Sequence, residues 1–180
     1  MKTAGGGFEQ CYNGQIAVDM ESLLIIKTDT VQATNDKQQV SPMLEQLATL
    51  PEQLGKPTTL VADTGYYSEA NVKACGKHTL TPLIAVSREA HHPDPMERYT
   101  EPPQLAEGAT EVEIMRHALK TKAGRAIYAQ RKCTVEPVIG IIKSVLGFRQ
   151  FMLRGLENAK GELNLVAMAW NMKRMFVLVG

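Results

Sequence analysis

The chain has 180 residues, with a hydrophobic fraction of 44%, a charged fraction of 22% and a formal net charge of +1, the profile of one ordinary globular domain. No apolar run reaches the roughly 18 residues that a membrane span needs, and Met1-Lys-Thr-Ala-Gly-Gly-Gly-Phe8 lacks the apolar core of a signal peptide. Cys11, Cys75 and Cys133 are scattered and odd in number, which fits a reducing cytoplasm better than a disulfide framework.

Residues 1–8 open with a glycine run that carries neither a strand nor a capping signal. It is not a phosphate loop either, because no preceding strand and no Lys-Ser/Thr pair accompany it. Tyr12 to Asp19 alternates loosely, Ser22 to Val31 is apolar and β-branched, and Asp19-Met20-Glu21 separates them. This pattern predicts a β-hairpin. Asp19 and Asp29 read as turn and strand-edge residues. After a polar loop, Ala33 to Asp36, a helix is expected from Ser41-Pro42, with Pro at its first position. Its apolar face is Met43, Leu44, Leu47 and Leu50.

Pro57 to Asp63 is short and nearly continuously apolar, the pattern of a central strand covered on both faces. It delivers Asp63 to the carboxyl end of that strand, where α/β sheets build their sites. A helix over Ser68 to Cys75 and a strand over Pro82 to Val86 follow. Residues 87–108 contain His91-His92-Pro93-Asp94-Pro95 and Pro102-Pro103 and read as a loop or insertion. Thr110 and Glu113 form a capping box for a helix to Lys120. A second helical piece runs from Gly124 through Tyr128 and Arg131. Thr134 is placed to cap the next helix, with Pro137 tolerated in its first turn and Gly147 ending it. The last helix, Leu156 to Leu178, is expected to bury one stripe of Leu163, Val166, Ala167, Trp170 and Met175, with Trp170 and the methionines as core.

The stretch from Tyr128 to Lys143 carries the chemistry. Glu136 is a lone acid between Arg131 and Lys132 on one side and Lys143 on the other. Seven residues separate Glu136 from Lys143, about two helical turns, so they share a face. Val138, Ile139, Ile141, Ile142, Val145 and Leu146 cover the remainder. A carboxylate beside cations on such a helix is poised to hold a metal ion next to a phosphate. A core helix with a solvated Glu–Lys pair is the plainer reading, and on these residues alone it has the edge. The charge distribution adds to the first reading. From Arg116 onward there are twelve Lys+Arg against three Asp+Glu, and eight against sixteen before it. A basic C-terminal third suggests a polyanionic partner. Cys75, His78, His91 and His92 match no standard four-ligand zinc spacing.

Hairpin, helix, Asp-bearing strand, helix-rich segment and Glu-bearing helix follow the order of the ribonuclease H-like α/β fold, a mixed sheet with flanking helices, without its first strand. Here a resemblance becomes specific. Gly6-Gly7-Phe8 through Tyr12-Asn13, Ala17-Val18-Asp19, Thr34-Asn35-Asp36 and Leu60-Val-Ala-Asp63-Thr-Gly65-Tyr66-Tyr67-Ser68 carry its first half. Lys120-Thr-Lys-Ala-Gly124-Arg125-Ala-Ile-Tyr128, Val135-Glu136-Pro137-Val138-Ile139-Gly140 and Phe148-Arg149-Gln-Phe151-Met-Leu-Arg154-Gly155 carry the second. In this order they resemble, over residues 8–178, the C-terminal part of a bacterial insertion-sequence transposase of the DDE class.

The resemblance implies a DNA-transposing enzyme that works by metal-dependent phosphoryl transfer at transposon ends. Asp63 matches the second acid of the triad and Glu136 the third; together they would hold Mg²⁺, with Mn²⁺ as a substitute. Tyr128, Arg131, Glu136 and Lys143 match the Tyr-Arg-Glu-Lys signature of one branch and would contact DNA. The gap from Arg131 to Glu136 is one longer than usual, so Lys132 is an alternative to Arg131. Tyr128 would stack near the scissile phosphate or pack as core. Asp36 resembles a loop acid near the site and is a candidate auxiliary ligand.

The family's first acid lies upstream of the Gly-Gly-Phe segment, so the expectation is a truncated copy of the catalytic domain, spanning residues 1–180, without that acid and inactive alone. The alternative is a non-catalytic remnant that binds DNA, or binds full-length transposase and inhibits it. A homo-oligomer and a cytoplasmic, nucleoid-associated location in a bacterium complete what the resemblance implies.

Overall fold

The computed structural model describes residues 11–87 and 100–180. The Gly6-Gly7-Phe8 segment and His91-His92 fall outside them. The chain divides into two compact units, one of residues 1–35 and 132–180, the other of residues 36–131.

The first unit is built on the expected hairpin. Strand β1 (Asn13–Val18) pairs antiparallel with β2 (Ile25–Val31), Asn13 opposite Val31, with a register shift between Ala17 and Val18. Asp19 makes the turn: its Oδ2 accepts the Ser22 N–H at 2.7 Å and the Ser22 hydroxyl at 2.6 Å. Partial burial opposes ionisation of Asp19, but these bonds and backbone donors from Glu21 and Met20 outweigh it and hold its pKa below the usual value. Helices α5 (Val135–Ser144) and α6 (Leu156–Val179) complete the unit. Ile25, Val138, Ile142, Ala167 and Trp170 form its core.

Polar groups of α6 fix the hairpin's turn end. Trp170 Nε1 donates to the Leu23 carbonyl at 2.8 Å. Asn171 brackets Ile25, accepting its N–H and donating to its carbonyl, each at 2.8 Å. Arg174 Nε donates to the Ser22 carbonyl at 2.6 Å. Backbone groups that a lone hairpin would leave open are thereby satisfied. Gly14 on β1 lets α6 approach, since a Cβ there would lie 3.3 Å from Leu163 Cδ2.

The second unit starts with α1 (Val40–Ala48). Strand β3 (Thr59–Ala62), helix α2 (Glu69–Lys77) and strand β4 (Thr81–Ile84) form a β-α-β unit with parallel strands, Thr59 opposite Thr81. Ser68 caps α2, its Oγ accepting the Asn71 N–H at 3.1 Å. Helices α3 (Glu111–Lys120) and α4 (Lys122–Ala129) follow, and the Thr110–Glu113 capping box is present as expected. Val40, Leu44, Cys75 and Leu80 make one apolar cluster; Val72, Ile84 and Met115 make another. Burial pushes the Cys75 thiol up to about 11, so it stays protonated and serves as core, not as a zinc ligand.

Several expectations are corrected. Each unit carries its own two-stranded sheet, where one mixed sheet was expected. All four residues of β3 are half-buried, so it is not a strand covered on both faces. Helix α1 begins at Val40, which puts Pro42 third, still inside the first turn where a missing N–H costs nothing. Thr134 makes no side-chain cap; a 3₁₀ turn over Gln130–Cys133 leads into α5 instead. Met168, Met172 and Met175 are exposed, so only part of the expected α6 stripe is core. The described part of the 87–108 segment, from residue 100, has neither helix nor strand.

Candidate active site

Asp63 follows β3 directly. Its backbone is extended, and its Oδ1 accepts the Gly65 N–H at 2.8 Å, capping a 3₁₀ turn over Thr64–Tyr66. The carboxylate stands exposed at the carboxyl end of a parallel strand, the usual location of α/β sites. Asp36 opens another 3₁₀ turn, Asp36–Gln38. Both acids converge on Gly65: a Cβ there would sit 3.0 Å from Asp63 Oδ1 and 3.8 Å from Asp36 Oδ2. Only a residue without a side chain leaves that space between the carboxylates open.

Asn71 of α2 is what joins the two turns. It is buried, and its Nδ2 donates to the Lys37 carbonyl and to the Tyr66 carbonyl, each at 2.7 Å. One amide group thus ties an acid-bearing turn on each side. The sequence reading passed over Asn71. The available signal was a polar residue three positions after the Ser68 cap, beside the buried Val72.

Tyr128 and Arg131 come together at the end of α4, with the guanidinium 5.7 Å from the ring centroid. This is a cation–π pair, and it occupies the tyrosine ring that had been open to stacking or core packing.

In the other unit, Glu136 lies in the first turn of α5 and Lys143 in the last, both exposed. Each sign suits its helix end. Gly140 lies between them with open space where a Cβ would be. Lys132 is exposed in the preceding 3₁₀ turn. A cleft of about 780 Å³ borders this helix, and Lys143, Arg149, Arg154, Tyr12, Phe148 and Phe151 are among its lining. The ring of Phe151 packs edge-on to Tyr12 and to Phe148, with centroids 5.8 Å and 5.4 Å away. Arg149 Nε donates to the Lys143 carbonyl at 3.3 Å, and Tyr12 Oη accepts the Gly155 N–H at 2.9 Å. Glu162 accepts the backbone N–H groups of Met152 and Leu153 at 2.9 Å and 3.0 Å. These bonds hold the loop after α5 so that three cations line one cleft. Arg149 and Arg154 had been noticed only as part of a sequence phrase.

A family model described as Transposase DDE domain matches residues 1–172. The chain belongs to this family. No curated protein and no solved structure matches it. As a DDE transposase domain, the chain is placed among proteins that move DNA segments with the help of divalent metal ions. Asp36 and Asp63 are brought together in one unit of the transposase domain, whereas Glu136, Lys132 and Lys143 belong to the other. Among the described residues no group of three or more His, Cys, Asp or Glu gathers as a metal cluster. None of the described helices is long and apolar enough to cross a membrane.

Proposed function

We propose that this transposase domain binds transposon-end DNA and contributes Asp63 and Glu136 to a metal-dependent phosphoryl-transfer site of ribonuclease H-like type. The observation that carries the reading is the convergence of Asp36 and Asp63 on Gly65 at the carboxyl end of β3. The donor set fits the family's metal: both are hard carboxylate oxygens of the kind Mg²⁺ prefers. When bound, Mg²⁺ or Mn²⁺ supplies positive charge to the attacking and leaving oxygens of an in-line displacement. Asp63 would be the principal ligand, Asp36 its neighbour and Glu136 the third acid of the family triad.

The cations have a separate task. Lys143, Arg149 and Arg154 line one cleft and would grip backbone phosphates, with Lys132 on the turn before α5. Arg131, held over Tyr128, presents a delocalised charge suited to a phosphate oxygen. The Tyr-Arg-Glu-Lys set would thus act through its cations on DNA and through Glu136 on the metal.

Titration with Mn²⁺ followed by electron paramagnetic resonance, run beside a strand-transfer assay on transposon-end DNA, tests this. Asp63→Ala should abolish specific Mn²⁺ binding, and Asp36→Asn should weaken it about tenfold, one ligand's worth of ~1.4 kcal/mol. Metal-dependent cleavage that survives both Asp63→Ala and Glu136→Ala would overturn the assignment.

A further inference from the structure

Helix α6 is apolar on two opposite faces. One carries Ala159, Leu163, Ala167 and Trp170 and is buried in the unit. The other carries Leu165, Met168, Met172, Met175, Phe176 and Val179, all between 47% and 87% exposed. An outer helix face in contact only with water is ordinarily polar. The second face therefore calls for a partner, and its pattern says which kind.

We infer that this face is a self-association surface, on which two copies of the chain pair α6 against α6. Positions 165, 168, 172, 175 and 179 step by three and four alternately. That 3.5-residue repeat is the seam of two helices packed knobs-into-holes. A helix lying on a lipid surface has no need of such a repeat and is flanked by Lys and Arg on a polar face; here the opposite face is protein core. The seam spans ~21 Å at 1.5 Å per residue. Helices α1 to α5 have eight to ten residues each, about 12–15 Å. Among the described helices only another α6, with 24 residues, is long enough to cover it.

The flanks favour an identical partner. Asn164 and Asn171 border the seam on one side, Ala169 and Phe176 on the other. With no charge on the seam or beside it, a two-fold pair brings no like charges together. Three of the six residues are methionines, whose unbranched side chains adapt to a facing copy of themselves. Two heptads bury less than the ~800 Å² per partner of a standard interface, so the pair should dissociate in the micromolar range. The inference does not depend on the metal site or on DNA.

Sedimentation equilibrium of the full chain from 1 to 100 µM (roughly the range set by that interface size) tests it. The expected result is a reversible monomer–dimer equilibrium that Met172→Glu weakens at least tenfold, with an unchanged far-ultraviolet circular dichroism spectrum. Met168→Gln gives a milder version should the charge disturb folding, and Lys173→Glu, off the seam, should leave the dimer intact. A chain that stays monomeric throughout, a dimer indifferent to both seam substitutions, or a monomer that instead co-sediments with lipid vesicles would overturn the proposal.

Discussion

Asn71 shows how much a single buried amide decides. Its two hydrogen bonds link turns that lie almost thirty residues apart in sequence and carry Asp36 and Asp63. Removing it leaves two carbonyls without their donor, a loss of about 1–3 kcal/mol for the buried group. Asn71→Ala should therefore lower the unfolding free energy by that amount and, separately, weaken Mn²⁺ binding at neutral pH. The second readout matters. A residue that only supports the core would lower the melting temperature while leaving the metal affinity of the folded fraction unchanged. Neither acid's role depended on the structure to be noticed. Asp63 sits at the end of an apolar run, and Asp36 closes a polar loop. Their proximity was not legible, because no local pattern records which turns a distant amide will bridge.

At the scale of elements, the corner between α3 and α4 is the most constrained. Thr121 ends one helix and caps the next, its Oγ1 accepting the Gly124 N–H at 3.0 Å and donating to the Ala118 carbonyl at 2.8 Å. A Cβ on Gly124 would lie 1.9 Å from that same carbonyl oxygen. Backbone cannot yield as a side chain tip does, so Gly124→Ala should destabilise the fold by about 1–3 kcal/mol, the range for an overpacked site. Chemical denaturation monitored at Trp170 and by circular dichroism would measure it, and a neutral result would show that the corner opens freely. Gly140 offers the contrast: nothing lies within 4 Å of its would-be Cβ. Helix α6 shows a different limit. Met175 is five residues past Trp170, ~140° round the helix, so grouping the two on one stripe misjudged the period. The period could not have said which apolar face turns inward. The bonds from Trp170, Asn171 and Arg174 to the hairpin settle that.

For the whole molecule, the charge asymmetry along the sequence is not an asymmetry between folded units. The basic run from Arg116 is divided between them. The unit with residues 1–35 and 132–180 carries nine Lys+Arg against seven Asp+Glu, and the unit of residues 36–131 carries eleven against twelve. DNA binding is therefore expected to depend on where cations cluster more than on net charge. Lys143, Arg149 and Arg154 on one cleft are such a cluster. Affinity for duplex DNA should fall log-linearly with salt, and replacing each of these cations by Ala should flatten the slope by about 0.9 per lost phosphate contact. A triple variant with an unaltered slope would place the DNA elsewhere.

The sequence by itself determined the elements and the family's acids. Hairpin, capping box, Asp63 after an apolar strand and Glu136 on an apolar helix all follow from short-range periodicity and turn chemistry, which act over a few residues. Only the tertiary structure decided that the strands form two separate pairs, that Asn71 draws Asp36 beside Asp63, that Arg131 covers Tyr128, and which face of α6 is core. Each of these is a choice among partners of equal local quality. It is made by packing and by satisfying buried polar groups across long sequence separations, and no window of the chain contains both members of the pair.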